Sequence, residues 1–236
     1  MSARPVSLAF YDPAHALHGT SRADFTVLFA GGQSRTVNAG AELSREGGDG
    51  EVQARLAGHF DLRFVPVTAP AELRSVSTRV YRVEGVVGDA RVECLGTLTE
   101  TLQPPVWARL DAVRSVSAIF DEGHALMAVA ERPRGARGHD EERVSAWLLH
   151  DGVALSVEEA RISTVYDGEG RQRSASVELW LEEEDFPRRT SGQALAGTSL
   201  LLEGLRVNAA VFSWSMEGRE GAGGYEVTVR EQRAAA

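Results

Sequence analysis

Turn signals cut this chain into short apolar pieces, and that restricts it to β architecture before any other property is considered. Gly31-Gly32, Gly88-Asp89, Asp121-Glu122-Gly123, Asp151-Gly152 and the DGEG run at 167–170 each separate two segments rich in Val, Leu, Phe, Thr and Tyr. In the first half, residues 24–30, 51–57, 59–67, 79–87 and 90–98 read as strands. In the second half, 107–120, 124–132, 143–150, 159–166, 173–184, 199–216 and 224–231 do so. Alternation is clearest in SVELWLE, where Val177, Leu179 and Leu181 face one way and Glu178, Trp180 and Glu182 the other. A helical bundle would need a sustained period of about 3.6 residues. Only 69–76 and 190–202 invite even a short helix. The expected class is all-β and mostly antiparallel.

Pro104-Pro105 is the best internal boundary, because neither proline suits a central strand. It divides the chain into residues 1–103 and 104–236, each with enough strands for a sheet wrapped on itself. Two antiparallel barrel- or sandwich-like units packed side by side are expected. At 236 residues, 43% of them hydrophobic, the chain can bury the core this needs.

Charge and composition exclude several functions. The 25 basic residues against 34 acidic give a net −9, which repels phosphate backbones and anionic membranes. No nucleic-acid partner is expected. The one locally basic run, ERPRGARGHDEER, answers Arg132, Arg134 and Arg137 with Asp140, Glu141 and Glu142, and reads as a solvated loop. Every basic residue is Arg. Without Lys there is no Schiff-base lysine, pyridoxal-phosphate lysine or phosphate-loop lysine, and no motif implies any other cofactor. Cys94 is the single cysteine, so no internal disulfide forms. No apolar run approaches the roughly 18 residues of a membrane-spanning helix. The expectation is a soluble, cytoplasmic protein with no integral membrane segment.

Residues that carry chemistry are sparse. AFYDPAHALHGTSRADFTVLF crowds Tyr11, Asp12, His15 and His18 together. On a helical turn Asp12, His15 and His18 would share a face and could hold a metal or exchange protons. With Pro13 among them they read instead as an irregular loop opened by Asp12, and no metal site is expected. His59, His124, His139 and His150 share no ligand spacing, and His124 and His150 border turns, where surface histidines are ordinary. Glu93, beside Cys94 in an otherwise apolar strand, joins Tyr81 and Tyr225 as groups whose pKa burial would shift toward proton transfer. Trp107, Trp147, Trp180 and Trp214 all fall in the second half, in expected strands. Such strand faces suit a pocket wall or the packing of one unit on the other. The glycines of EGREGAGGYEVTV precede a strand rather than a helix, so they read as a hairpin connection and not a phosphate loop.

Three segments carry a family resemblance: PAHALHGTSRADFTVLF, the RRTSG turn at 188–192, and SWSMEGREGAGGYEV at 213–227, with glycines ahead of an aromatic–acidic pair. Together they resemble the carotenoid 1,2-hydratases (hydroxyneurosporene synthases), their AttH-like relatives and lipocalin-like polyene cyclases, Diels–Alder-type enzymes included. The resemblance implies two packed lipocalin-like units and a hydrophobic, isoprenoid- or polyene-like ligand that is hydrated or cyclised. Where the family tends to show an acidic residue followed by paired tryptophans and a tyrosine, this chain has Asp24 followed by Phe25, Thr26 and Val27. Only His18 and Asp24, and more loosely Glu226, match by position.

These residues leave three readings open. An enzyme would use His18, Asp24, Glu93 or Tyr81 for proton transfer or polarisation, with Trp147, Trp180, Trp214 and Tyr225 as walls of the substrate pocket. A non-catalytic carrier would keep the pocket and lack an ionisable group at the ligand's reactive atom. A structural or partner-binding protein would use its aromatics only between its two halves.

Overall fold

The computed structural model describes residues 4–45, 50–138, 141–182 and 184–231. His139 and Asp140 of the basic run lie outside them, as does Glu183. No α-helix occurs among the described residues. The first ten strands are β1 (Val6–Asp12), β2 (Leu17–Ser21), β3 (Thr26–Ala30), β4 (Gln33–Val37), β5 (Glu42–Ser44), β6 (Val52–Leu56), β7 (Phe60–Pro66), β8 (Ala71–Glu72), β9 (Val76–Val87) and β10 (Ala90–Thr101). They form one antiparallel sheet in the order β4-β3-β2-β1-β10-β9-β7-β6-β5, with β8 on β9, curved into a half-barrel.

The remaining strands are β11 (Leu110–Asp121), β12 (His124–Pro133), β13 (Arg143–His150), β14 (Val153–Leu155), β15 (Val157–Tyr166), β16 (Gln172–Leu181), β17 (Arg188–Leu202), β18 (Leu205–Met216) and β19 (Arg219–Arg230). Their order is β14-β13-β12-β11-β19-β18-β17-β16-β15. β15 returns beside β13, so this second sheet is a nearly closed barrel.

Local chemistry explains where the strands differ from expectation. The segment 190–202, open to a helical reading, is part of β17, and 199–216 is two strands rather than one. Glu203 and Gly204 have φ of 49° and 80°, and two consecutive positive φ angles make the tight hairpin turn that joins β17 to β18. The entry segment is not a loop. β1 and β2 pair in register, Tyr11 opposite His18, across a turn at 13–16 that needs no N–H from Pro13. Asp12 closes that turn by accepting the His15 backbone N–H at 3.2 Å and meeting His15 Nδ1 at 2.7 Å. Trp107 lies in a turn before β11 rather than in a strand. RRTSG lies within β17, and of the run 217–229 only Glu217-Gly218, with φ of 52° and 79°, is the hairpin connection, while the glycines at 221, 223 and 224 lie inside β19.

Three apolar clusters fill the molecule. One lines the concave side of the half-barrel and includes Phe10, Phe60, Phe64 and Tyr81. A second fills the lumen of the barrel with Phe212, Trp214, Met216 and Tyr225 among its members. The third lies between the two sheets and joins Ala9, Tyr11, Phe29 and Val80 to Ile119, Met127, Val129 and Val211. β12 explains the pattern best. Leu126, Ala128 and Ala130 face the lumen while Ala125, Met127 and Val129 face the other sheet. A strand covered on both faces loses its polar side, hence the unbroken apolar run.

Two buried groups depend on close local fits. Trp214 is fully buried, stacked on Phe212 at 5.1 Å between ring centroids, and its ring lies over Gly192. Glu142, expected on a solvated loop, instead has a side chain only 2% exposed and is ion-paired with buried Arg114. A carboxylate so far from water is tolerated only beside a partner of opposite charge.

A Cβ at Gly192 would sit 2.4 Å from the Trp214 ring, whereas one at Gly197 on the same strand meets nothing closer than 3.5 Å. Gly192→Ala is therefore expected to cost about 1–3 kcal/mol by overpacking. Gly197→Ala is expected to be neutral or to stabilise by a few tenths of a kcal/mol. Urea unfolding of the two variants checks this, and equal midpoints would contradict it.

Candidate functional site

Strand alternation sends Leu8 and Phe10 into the core of the half-barrel, and Ala9 and Tyr11 to the seam between the sheets. Register then fixes the neighbours of Tyr11 on that face. His18 lies opposite it on β2, and Phe29 lies opposite His18 on β3. Across the seam stand Ser117 on β11, Met127 on β12, and Gly224 and Glu226 on β19. Together they line a cavity of about 100 Å³, whose wall also carries Arg22 and the hydroxyls of Thr78, Thr97 and Thr99.

The polar contacts of this cavity tie one unit to the other. The Tyr11 hydroxyl meets Ser117 Oγ at 2.9 Å, and Ser117 Oγ also accepts the Gly224 N–H at 3.0 Å. Gly224 is required for this approach, because a Cβ there would sit 2.7 Å from the Tyr11 hydroxyl. Arg22 Nη2 donates to Glu226 Oε1, which also accepts the Thr228 hydroxyl at 3.2 Å. The Arg22 guanidinium lies 5.9 Å from the centroid of the Phe25 ring.

Burial sets the chemistry of the two ring groups. The Tyr11 hydroxyl is pushed up to about 12, chiefly by burial and further by the charge of Glu226, with the Ser117 and Thr97 hydrogen bonds opposing. It is a neutral O–H donor at ordinary pH. His18 is 4% exposed, and burial lowers its pKa against the opposing charge of Asp12. Its Nδ1 is buried without a hydrogen-bond partner, as is Arg22 Nε. The site therefore offers a neutral donor, an imidazole kept neutral, and a guanidinium–carboxylate pair against an apolar wall.

The other sequence candidates scatter. Asp24 is exposed in the turn between β2 and β3 and does not line the cavity. Glu93 is exposed on the outer face of β10, opposite Glu84, because alternation turns it away from the core. Tyr81 packs edge-on against Phe64 in the half-barrel core, 6.0 Å between centroids. Trp214 belongs to the lumen, and Trp180 lies on the outer face of β16 beneath the Arg161 guanidinium at 4.8 Å. Trp147 packs on the seam cluster opposite Met127, one strand behind the cavity wall. Tyr225 contributes to the lining, but its hydroxyl turns into the barrel to Thr164 and Arg114. Sequence reasoning did not assign Tyr11, Arg22 or Ser117. Tyr11 could have been found from its place beside His18; Ser117 could not, being 106 residues from the tyrosine it meets.

No family model matches the chain, and no curated protein matches it by sequence. Solved structures do match by fold. The protein is similar to CghA, with a TM-score of 0.62 and 11% identity over 100% of this chain and 91% of that one. It is similar to an AttH-like protein from Nitrosomonas europaea, with a TM-score of 0.58 and 14% identity over 98% of this chain and 94% of that one. A third match is kievitone hydratase from Nectria haematococca, with a TM-score of 0.59 and 10% identity over 97% of this chain and 89% of that one. The chain thus has the two-unit lipocalin-like fold that the resemblance implied. Identities this low establish the fold alone.

The lowered pKa of His18 makes a pH prediction. Below about pH 6.5 the unfolded chain takes up a proton at this imidazole before the folded chain does. Its contribution to stability is present above that value and is lost as pH falls through the lowered folded value. His18→Gln is expected to flatten the decline of the urea midpoint between about pH 7 and pH 5. An unchanged slope would show that His18 is protonated as readily folded as unfolded.

Proposed function

We propose that the protein binds a hydrophobic, isoprenoid- or polyene-like small molecule at the seam between its two units and catalyses its hydration or cyclisation. The observation that carries this reading is the Tyr11–His18–Arg22–Glu226 constellation around a cavity that Phe29, Leu73, Met127 and Val211 also line. Tyr11, held neutral, is suited to donate a hydrogen bond to a carbonyl conjugated with the ligand's double bonds. That bond withdraws electron density and activates the conjugated system toward water or an internal diene. His18, neutral, is suited to take a proton from attacking water. A phenol with a pKa near 12 is a poor acid for direct alkene protonation, so a carbonyl-bearing substrate fits better than a plain hydrocarbon.

Size sharpens the proposal. A cavity of about 100 Å³ is smaller than the roughly 150 Å³ that accommodates benzene. It would take only the reactive end of such a ligand, with the remainder along the mouth or admitted as the sheets part. One fold neighbour is named a hydratase, which is in keeping with hydration as the reaction class. A cytoplasmic setting is part of the proposal, in keeping with an unpaired cysteine.

The test begins with native mass spectrometry of the purified protein and a thermal-shift panel of polyene ketones. A stabilising ligand is then assayed for turnover by the parent, Tyr11→Phe and His18→Gln. Loss of about 10²–10⁴-fold in kcat with ligand binding retained supports catalysis. Binding without turnover by the parent would make the protein a carrier. The absence of any bound or stabilising ligand would leave the aromatics to packing and overturn the reading.

A further inference from the structure

Two hairpin turns press together at one end of the barrel. The turn Asp121-Glu122-Gly123 joins β11 to β12, the turn Asp151-Gly152 joins β13 to β14, and the Gly152 N–H donates to Gly123 O at 2.9 Å. His124 opens β12 and His150 closes β13, so two histidines that share no ligand spacing in sequence become neighbours, 5.2 Å between ring centroids. Asp151, in the left-handed region at φ 50°, lies beside both. Its Oδ1 is 3.0 Å from His124 Nε2 and its Oδ2 is 3.6 Å from His150 Nε2. One ligating atom from each of the three lies within 4.8 Å of the others.

The remaining ring nitrogens face carboxylates as well. His124 Nδ1 meets Asp121 Oδ1 at 2.8 Å and Oδ2 at 3.0 Å, and His150 Nδ1 is 3.8 Å from Glu217 Oε2. An ionised carboxylate only accepts, so the Asp121 contact assigns the proton to Nδ1 of His124 and leaves a lone pair on Nε2. The Asp151 backbone N–H, 3.3 Å from Nε2, agrees with that assignment, and an ion taking this lone pair would displace that long contact. Yet the same Nε2 faces Asp151 Oδ1 at 3.0 Å, acceptor against acceptor. Such a contact is repulsive unless positive charge stands between the two atoms. That charge is a second proton or a metal ion.

We propose that His124, His150 and Asp151 form a binding site for a zinc-class divalent cation, with Asp121 orienting the His124 imidazole from behind and the Glu217 carboxylate 3.8 Å from His150 Nδ1, beyond hydrogen-bond distance. Ligands about 2.0–2.2 Å from a tetrahedral zinc lie about 3.3–3.6 Å from one another. The two histidines reach different oxygens of Asp151, at 3.0 Å and 3.6 Å, and one ligating atom from each residue lies within 4.8 Å of the others, so small side-chain rotations would bring the three onto one ion. Pairing of a ligating imidazole's far nitrogen with a carboxylate is the usual support of such ions. Asp151 is 72% exposed, so an ion can enter from solvent, and three protein ligands leave a coordination position for water. Arg188 and Arg219, 3.6 Å and 3.9 Å from Glu217 and Asp121, keep the outer carboxylates from making the cluster excessively negative. The ion would staple the two turns together at the end of the barrel.

The experiment uses tag-free, full-length protein stripped with a chelator, then titrated with Zn²⁺ by calorimetry and with Co²⁺ by visible absorption. The expected result is one ion per chain, the spectrum of four-coordinate Co²⁺, and a higher melting temperature. His150→Ala and Asp151→Asn are expected to abolish the Co²⁺ spectrum, and Asp121→Asn to weaken binding about 10–100-fold, while circular dichroism of the ion-free variants stays that of the parent. Absence of saturable 1:1 binding would overturn the site and leave His124 as an imidazolium between two carboxylates. Binding unaffected by either ligand substitution would overturn it equally.

Discussion

Burial of one curved sheet against the other is the constraint on which the rest of this structure depends. β1, β12 and β18 are covered on both sides, and every residue from His124 to Ala130 and from Val207 to Phe212 is buried. Fully burying one large apolar side chain is worth roughly 1.5–3 kcal/mol, against about 1 kcal/mol net for a hydrogen bond. Phe29, Val80, Ile119, Met127 and Val211 therefore hold the sheets together. The polar pairs across the seam do something else. Tyr11 with Ser117, and Arg22 with Glu226, are satisfied in one register only, so they select how the sheets meet.

The same constraint decides where a ligand can go. A barrel of this strand number has a lumen just wide enough for packed side chains or one small molecule. Here side chains occupy it. Phe212 stacks on Trp214, meets Tyr225 edge-on at 5.6 Å, and the Tyr225 hydroxyl is held by Thr164 and Arg114. The half-barrel is likewise filled by Phe10, Phe60, Phe64 and Tyr81. What is left lies between the units, where small residues such as Ala9, Ala209 and Gly224 meet hydroxyl-bearing ones.

Much of the fold was legible because turn chemistry and period-two alternation are local. Asp151-Gly152 and the SVELWLE strand could be read without knowing their partners. Elements were misread where a distant partner set the conformation. The glycines at 221, 223 and 224 look like a loop until β11 is known to lie against them. Residues 190–202 carry no strong period until β18 supplies their ladder. The candidate site was less legible for the same reason. His18 could be singled out from its short neighbourhood, whereas Glu93 attracted notice for standing in an apolar strand and proved to be on that strand's outer face. The tryptophans suggested a pocket because large aromatics are costly to explain on a surface, yet Trp180 is shielded there by Arg161.

A physical argument for function at the seam is that two buried polar atoms without a protein partner belong to residues lining a cavity. A buried polar atom without a partner costs about 1–3 kcal/mol, and an apolar residue of similar shape would avoid that cost. His18 Nδ1 and Arg22 Nε both stand in this position on residues that line the cavity, as do Arg114 Nε, Gln172 Oε1 and Trp214 Nε1 in the barrel and its wall, away from it. Gln172, deep in the barrel wall, is only half answered: its amide N–H groups donate to the carbonyl oxygens of both Asn208 and Tyr225, while its Oε1 has no protein partner. A ligand oxygen, or water drawn in beside it, would remove the penalty at His18 and Arg22 and meet the Tyr11 hydroxyl in the same space. A polar atom without a protein partner beside a cavity can be answered by what enters that cavity, whereas one in a packed core, such as Trp214 Nε1, cannot.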